Sequence, residues 1–202
     1  MKPIIVLPTY NERENIIKLI PALFSQNIPG LEIVVVDDNS PDQTALETEK
    51  FREQFPVHVI RRLRKLGLGT AYITGFKKAL SLGADIIFEM DADFSHDPND
   101  VPRLIAALAP AGTADLAIGS RRVAGGKIIG WNIKRHLTSL IAMSIARIAL
   151  GLKTMDVTAG FRAYRRPLVE ALLQEGITSN GYAFQEELLF RTEKMNWRVI
   201  EV

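Results

Sequence analysis

The feature that most constrains this chain is a rhythm. Short apolar runs at Pro3–Leu7, Leu31–Val36, Val57–Ile60, Asp85–Met90 and Asp115–Ile118 alternate with stretches at helical spacing, Glu12–Phe24, Thr70–Leu82 and Pro98–Ala109. Strands separated by helices of roughly 10–15 residues are joined by crossovers, and crossovers impose a mostly parallel sheet with helices on its faces. The β-branched run Leu31–Val36 suits a strand buried on both faces. Ser40-Pro41-Asp42-Gln43 reads as a helix start, with Ser40 as cap, Pro41 at the first helical position and Gln43 closing a capping box. After Ser120 the rhythm breaks. Residues 121–134 are Gly-rich and basic, and Arg135–Leu150 reads as a long apolar helix. A short segment around Phe161–Tyr164, helices from Pro167 and from Gln185, and a last strand Arg198–Val202 follow. The expected fold class is α/β, in one domain.

Composition narrows the function. The chain has 202 residues, 47% of them hydrophobic and 24% charged, which excludes disordered, collagenous and coiled-coil classes. A formal charge of +2 gives no ground for a nucleic-acid partner. The absence of cysteine removes disulfides, thiolate metal sites and a Cys nucleophile, and fits a reducing compartment. The apolar stretch Leu137–Leu150 is shorter than the roughly 20 residues a membrane span needs and carries Thr138, Ser139 and Ser144. The opening MKPIIVLPTY has too short an apolar run for a signal peptide. A soluble or peripheral protein is expected.

In parallel sheets, ligands bind outside the carboxyl ends of the strands. That rule points to Pro8–Glu12, Asp37-Asp38, Asp91–Asp93 and Gly119–Arg121. Asp91-Ala92-Asp93 follows the apolar run IIFEM. Two carboxylates at that spacing suit a hard divalent ion that also takes substrate phosphates; the alternative is a turn that caps the Pro98 helix. Asp37 and Asp38 either cap a turn or bond a nucleobase or ribose. Tyr10 could stack on a base and Glu12 bond a ribose or base N–H, or both could be structural. Arg121 at a strand end and Arg135 at the head of an apolar helix are placed for an anion, since Arg meets phosphate oxygens bidentately. Arg122, Arg165, Arg166 and the run Arg61–Lys65 read as solvated, the last with a minor chance of touching anionic lipid. Of three histidines, His96 is the one placed to line the site, and His58 and His136 read as structural. There is no G-x-S-x-G, P-loop or G-x-G-x-x-G motif.

In order along the chain stand PTYNERENI, VVVDDNSPDQT, RRLRKLGLGTAYITGF, MDADFSHDP, IGSRRVAGG, GWNIKR, DVTAGFRAY and GYAFQEE. Together they resemble the family 2 glycosyltransferases of GT-A fold, specifically the polyprenol (dolichol) monophosphate mannose synthases, over nearly the whole chain. The first two runs are common to many sugar transferases, whereas the aspartates after the fourth strand with Ser95 and His96, the Gly119–Gly126 stretch and Gly181–Glu187 are more specific. The resemblance implies transfer of mannose from GDP-mannose to a polyprenyl phosphate with inversion. By the same likeness Pro8, Tyr10, Glu12, Val36 and Asp38 hold the nucleotide. Asp91, Ala92 and Asp93 meet the donor and an Mg²⁺ or Mn²⁺ ion, with Ser95 where some relatives carry a Gln ligand. Arg121 and Arg135 grip phosphates, and Asp156, Gly160, Phe161, Arg162, Gln185 and Glu187 shape the sugar and acceptor pocket. It further implies peripheral contact with the cytoplasmic face of a membrane. Such relatives continue past the strand ending at Val202, so the chain reads as C-terminally truncated, with any membrane-anchoring segment or subunit lying outside it.

A phosphomonoester acceptor needs no general base, because its second pKa of about 6 leaves it largely dianionic at neutral pH. The sequence offers no evident His–carboxylate base, which suits that acceptor, and Asp156 remains a candidate base if the acceptor is a hydroxyl. The rival within the class is a polyprenyl-phosphate glucosyltransferase or another transferase that uses a UDP-sugar. A phospho-receiver domain would carry its acidic pair after the first strand and be much shorter, and a non-catalytic nucleotide-sugar module would have no need of Asp91, Asp93 and Arg121 together.

Overall fold

The computed structural model describes residues 1–108, 114–123, 147, 150–179 and 181–202. Seven strands form one sheet in the order β3-β2-β1-β4-β6-β5-β7. They are β1 (Pro3–Thr9), β2 (Glu32–Asp37), β3 (Val57–Arg61), β4 (Ile86–Glu89), β5 (Leu116–Ile118), β6 (Arg162–Arg165) and β7 (Val199–Glu201). The helices are α1 (Arg13–Phe24), α2 (Thr44–Lys50), α3 (Leu68–Ser81), α4 (Val101–Ala107), α5 (Arg166–Glu175) and α6 (Tyr182–Lys194). The α/β expectation holds. Pairing is parallel except along β6, which runs antiparallel to both β4 and β5. The long helix expected over Arg135–Leu150 lies outside the described residues, apart from Arg147 and Leu150, which are helical.

The alternation of strand side chains sorts the core into two layers. Ile4 and Val6 of β1 point with Val34, Val36 and Ile87 toward α3, α5 and α6. Ile5 and Leu7 point with Ile33, Val35 and Phe88 toward α1 and α4. Both faces of β1 and β2 are therefore dry, as continuous β-branched runs require. Helix α3 comes very close to the sheet at Gly75, where a Cβ would stand 2.2 Å from Val6 Cγ1.

One local expectation is corrected. The helix after β2 begins at Thr44, because Gln43 adopts a left-handed φ of 68° that no helical residue can hold. Ser40 is used elsewhere: its hydroxyl donates to Asp37 Oδ1 at 2.5 Å, and it accepts the Asn11 N–H at 3.0 Å. Asp42 takes over at the helix start, accepting from the Thr44 N–H at 3.0 Å and the Thr44 hydroxyl at 2.6 Å.

The Gly75 contact gives a stability test. Gly75→Ala is expected to cost about 1–3 kcal/mol, the range for overpacking a filled core, read as a lower midpoint in urea unfolding at unchanged slope.

Candidate active site

Parallel pairing of β1 with β2 and β4 brings Thr9 opposite Asp37 and Val6 opposite Glu89. The segments that leave these strands, Tyr10–Glu12, Asp38–Ser40 and Met90–Asp93, therefore emerge on one edge. Strand β5 is antiparallel to β6, which is antiparallel to β4, so Gly119–Arg121 leaves on that edge too.

On the β1–β2 side, Val36 is fully buried, backbone included, and Pro8 opposite it is half-buried. Tyr10 is 40% exposed, with Lys65 Nζ 4.1 Å over its ring. Glu12 accepts from Asn15 Nδ2 at 2.7 Å. Asp37 has the turn-capping role, accepting from the Thr9 hydroxyl, the Ser40 N–H and the Ser40 hydroxyl. Asp38 is ion-paired with Arg62 Nε and accepts the Leu66 N–H at 3.3 Å. The solvated reading of Arg61–Lys65 is thus corrected at Arg62. Its side chain is 7% exposed and also donates to Thr70 Oγ1 at 2.6 Å and the Gly67 carbonyl at 3.2 Å.

The two aspartates of the acidic pair differ sharply. Asp93 is exposed, and its Oδ1 accepts the Ser95 N–H at 2.9 Å across Phe94, whose φ is +62°. Asp91 is held from several elements. Its N–H donates to His96 Nδ1 at 3.1 Å, its Oδ1 accepts the Tyr72 hydroxyl at 3.0 Å, and its Oδ2 lies 3.9 Å from His96 Nε2. Ala92 between them is buried. His96 stacks on Phe161 with ring centroids 5.0 Å apart, and burial keeps its pKa below the ordinary imidazole value despite Asp91 and Asp93. A His–carboxylate contact that the sequence did not reveal is therefore present. Among the described residues no three acidic or His side chains converge. Asp91 and Asp93, with Ser95 two residues further on, offer oxygen donors alone, a set that fits a hard divalent ion retaining waters and substrate phosphate as its other ligands.

Across the edge, Arg121 grips Asp156. Its Nε and Nη2 donate at 2.8 and 2.6 Å, its N–H donates at 3.0 Å, and Nη2 also reaches Thr158 Oγ1 at 3.2 Å. Asp156 is fully buried. Burial alone would raise its carboxyl, but the Arg121 hydrogen bonds and charge outweigh it and hold the pKa below the ordinary value. Such a carboxylate is a poor proton acceptor, which counts against the base role considered for it. Glu201 of β7 tightens the assembly, accepting from the Ser120 hydroxyl and from the N–H groups of Met155 and Asp156.

Three expected pocket residues have other work. Arg162 is fully buried, and its guanidinium donates to the carbonyls of Ala159, Val157 and Gln185 at 2.7–2.8 Å, so it clamps backbone rather than lining a pocket. Gln185 is buried and supplies one of those carbonyls. Glu187 accepts from the N–H groups of Thr178 and Ser179 and pairs with Arg191 at 2.6 Å, pinning the turn before α6. Arg135, with Lys127, Lys134 and His136, lies outside the described residues. Sequence reasoning missed Tyr72, Arg62 and Glu201. Tyr72 and Arg62 stand inside the RRLRKLGLGTAYITGF run, and that run was their only signal.

A sequence profile for glycosyl transferase family 2 matches residues 4–173. The chain belongs to glycosyl transferase family 2. It is 43% identical over 203 residues to undecaprenyl-phosphate mannosyltransferase of Micrococcus luteus, covering 100% of this chain and 82% of that protein. It is 42% identical to polyprenol monophosphomannose synthase of Mycolicibacterium smegmatis, with 100% and 76% covered. It is 40% identical to dolichol-phosphate mannosyltransferase of Pyrococcus furiosus, with 100% and 55% covered. Among solved structures, glucosyl-3-phosphoglycerate synthase from Mycobacterium tuberculosis with UDP superposes at a TM-score of 0.73 and 21% identity, over 100% of this chain and 69% of that one. A mannosyltransferase from Pyrobaculum calidifontis, in complex with GDP-Man and Mn²⁺, superposes at 0.69 and 20% identity, over 100% and 54%. The likenesses establish the GT-A fold for this family 2 chain.

Two titrations follow from the buried carboxylates. The folded pKa of Asp156 lies below its unfolded value of 3.8, so the Arg121 pair contributes stability that is complete above that value and drains as pH falls through the folded pKa. Asp156→Asn is expected to lose on the order of 2 kcal/mol at pH 7, below the range for a fully buried pair because Arg121 is partly exposed. In thermal melts the gap to the wild type narrows at acid pH. Glu89 behaves oppositely. Burial lifts its carboxyl from 4.5 to about 7, which the Arg162 charge and the neighbouring Tyr164 hydroxyl only partly offset. Stability therefore drains as pH rises from 4.5 to about 7, and the loss is complete above that. Glu89→Gln should raise Tm by a few degrees at pH 8.5, by less at pH 5.5, and leave it nearly unchanged at pH 4.

Proposed function

We propose that this family 2 chain transfers mannose from GDP-mannose to a polyprenyl phosphate, inverting the anomeric centre to give a β-linked polyprenyl mannosyl phosphate. The observation that carries the reading is the Asp91–Asp93 pair at the carboxyl edge, with Arg121 across from it on the same edge. Relatives at 40–43% identity bear the names of undecaprenyl-, polyprenol- and dolichol-phosphate mannose transferases, and they supply the sugar and the acceptor class.

In this reading Asp91 and Asp93 hold a divalent ion, Mn²⁺ or Mg²⁺, with Ser95 or water as a further contact. When bound, the ion offsets diphosphate charge and orients the donor. Tyr10, Glu12 and the Asp38–Arg62 pair border the place for the nucleotide, with Pro8 and the buried Val36 beneath. Arg121, already fixed by Asp156, presents positive charge where the leaving diphosphate gains negative charge. Arg135 would add a second phosphate contact. A phosphate oxygen of the acceptor bonds to C1 from the face opposite the diphosphate as the C1–O bond breaks, and the electron pair leaves with GDP. No protein base is required, because the attacking group is already an anion. The lipid acceptor places the working enzyme against a membrane surface, as a peripheral protein on the cytoplasmic face. No helix among the described residues is long and apolar enough to cross the membrane.

Calorimetric titration with GDP-mannose and with UDP-glucose, each with and without Mn²⁺ or Mg²⁺, tests the reading. Metal-dependent binding of GDP-mannose alone is the expected outcome. A preference for UDP-glucose would move the chain to a glucosyl transfer, and a lack of binding to either would overturn the donor assignment. Asp93→Ala should lose metal-dependent binding and lower turnover to polyprenyl phosphate at least about 100-fold, since even outer partners of metal ligands are worth roughly 10–100-fold.

A further inference from the structure

Asp91 and Asp93 sit two residues apart but are not equivalent. Among the described residues Asp93 accepts one hydrogen bond, from the Ser95 N–H, and it is exposed. Asp91 is fixed by side chains from two other parts of the chain. From α3, the fully buried Tyr72 stacks on Phe184, with centroids 5.8 Å apart and planes within 6°, and aims its hydroxyl at Asp91 Oδ1. From the loop after Asp93, His96 folds back onto the strand end. Its Nδ1 accepts the Asp91 N–H, so the ring proton is on Nε2, on the side of Asp91 Oδ2. The ring is parallel to Phe161 within 11°, and its side chain is only 15% exposed. The backbone of Gly160 closes the same side, since a Cβ there would stand 3.5 Å from Asp91 Oδ2 and 3.6 Å from His96 Cε1.

We infer that Tyr72 and His96 are positioning residues: Tyr72 fixes the carboxylate of Asp91 and His96 fixes its backbone, making Asp91 the rigid ligand of the divalent ion while Asp93 adapts to the donor. The inference rests on the metal reading of the site proposed above. The geometry supports it in two ways. The Tyr72 hydroxyl occupies one lone pair of Oδ1 and selects a single carboxylate rotamer, and the Asp91 N–H has a side-chain acceptor that a continued strand would not provide. Groups that orient a ligand in this way are worth roughly 10–100-fold in metal affinity.

The test is a Mn²⁺ titration of the protein with GDP present, followed by the electron paramagnetic resonance signal of free Mn²⁺, alongside thermal melts. Tyr72→Phe keeps the ring and its Phe184 stack but loses the hydroxyl; it should weaken Mn²⁺ binding about 10-fold while leaving Tm within a few degrees. His96→Asn places an amide oxygen where Nδ1 stands and should bind Mn²⁺ nearly as the wild type does. His96→Gln places its polar group near Nε2 instead and should weaken binding about 10-fold. In turnover assays the Tyr72→Phe loss should appear as a raised Mn²⁺ requirement, with kcat regained at saturating Mn²⁺. Unchanged affinity in both Tyr72→Phe and His96→Gln, or equal weakening in His96→Asn and His96→Gln, would overturn the inference. A wild-type chain that takes up GDP but no Mn²⁺ would overturn the metal reading itself, and the inference with it.

Discussion

Parallel pairing of β1 with both β2 and β4 is the constraint on which the rest of the molecule depends. It is held by dry packing on both faces, Ile4 and Val6 against one helical layer and Ile5 and Leu7 against the other. A slip of one residue would exchange the two sets and bury the wrong partners. The same register fixes how far each chain has risen when it leaves the sheet, and so decides that Tyr10, Asp38 and Asp91 emerge together. The site is assembled by the core, and no loop has to find it.

The strand that breaks the parallel pattern is equally consequential. Because β6 runs the other way, the residues that precede it, Gly160 and Phe161, arrive at the edge from which β4 departs. They form the wall against which His96 stacks. Arg162 opens β6 and spends its guanidinium on three backbone carbonyls, two of them in the segment leading to that wall. Its burial therefore shapes the site indirectly.

The fold was legible because its signals are additive: five apolar runs and the helices between them each repeat the same message. The acidic pair was legible for a different reason, since two carboxylates at the end of an apolar strand have few bland explanations. Single residues inside a pattern were not. Tyr72 occupies an apolar position of an amphipathic helix, where an aromatic ring reads as core, and its hydroxyl contact depends on where another strand ends. Arg62 is one of four basic residues in a run of five and cannot be told from its neighbours until β2 and β3 pair and bring it to Asp38. Arg162 misled in the opposite sense, because a charged side chain with no exposed surface is uncommon enough that exposure is the default reading. At Ser40 two local motifs competed for one hydroxyl, and the turn contact to Asp37 prevailed over the capping box.

Glu201 has a mechanical meaning. One carboxylate on the outermost strand holds the Ser120 hydroxyl and the backbone of Met155 and Asp156, and Asp156 in turn holds Arg121. Strand β7 and the guanidinium at the site are thus two ends of a short lever. Movement at the sheet's margin is thereby coupled to the orientation of the Arg121 guanidinium, with Asp156 as the joint between them.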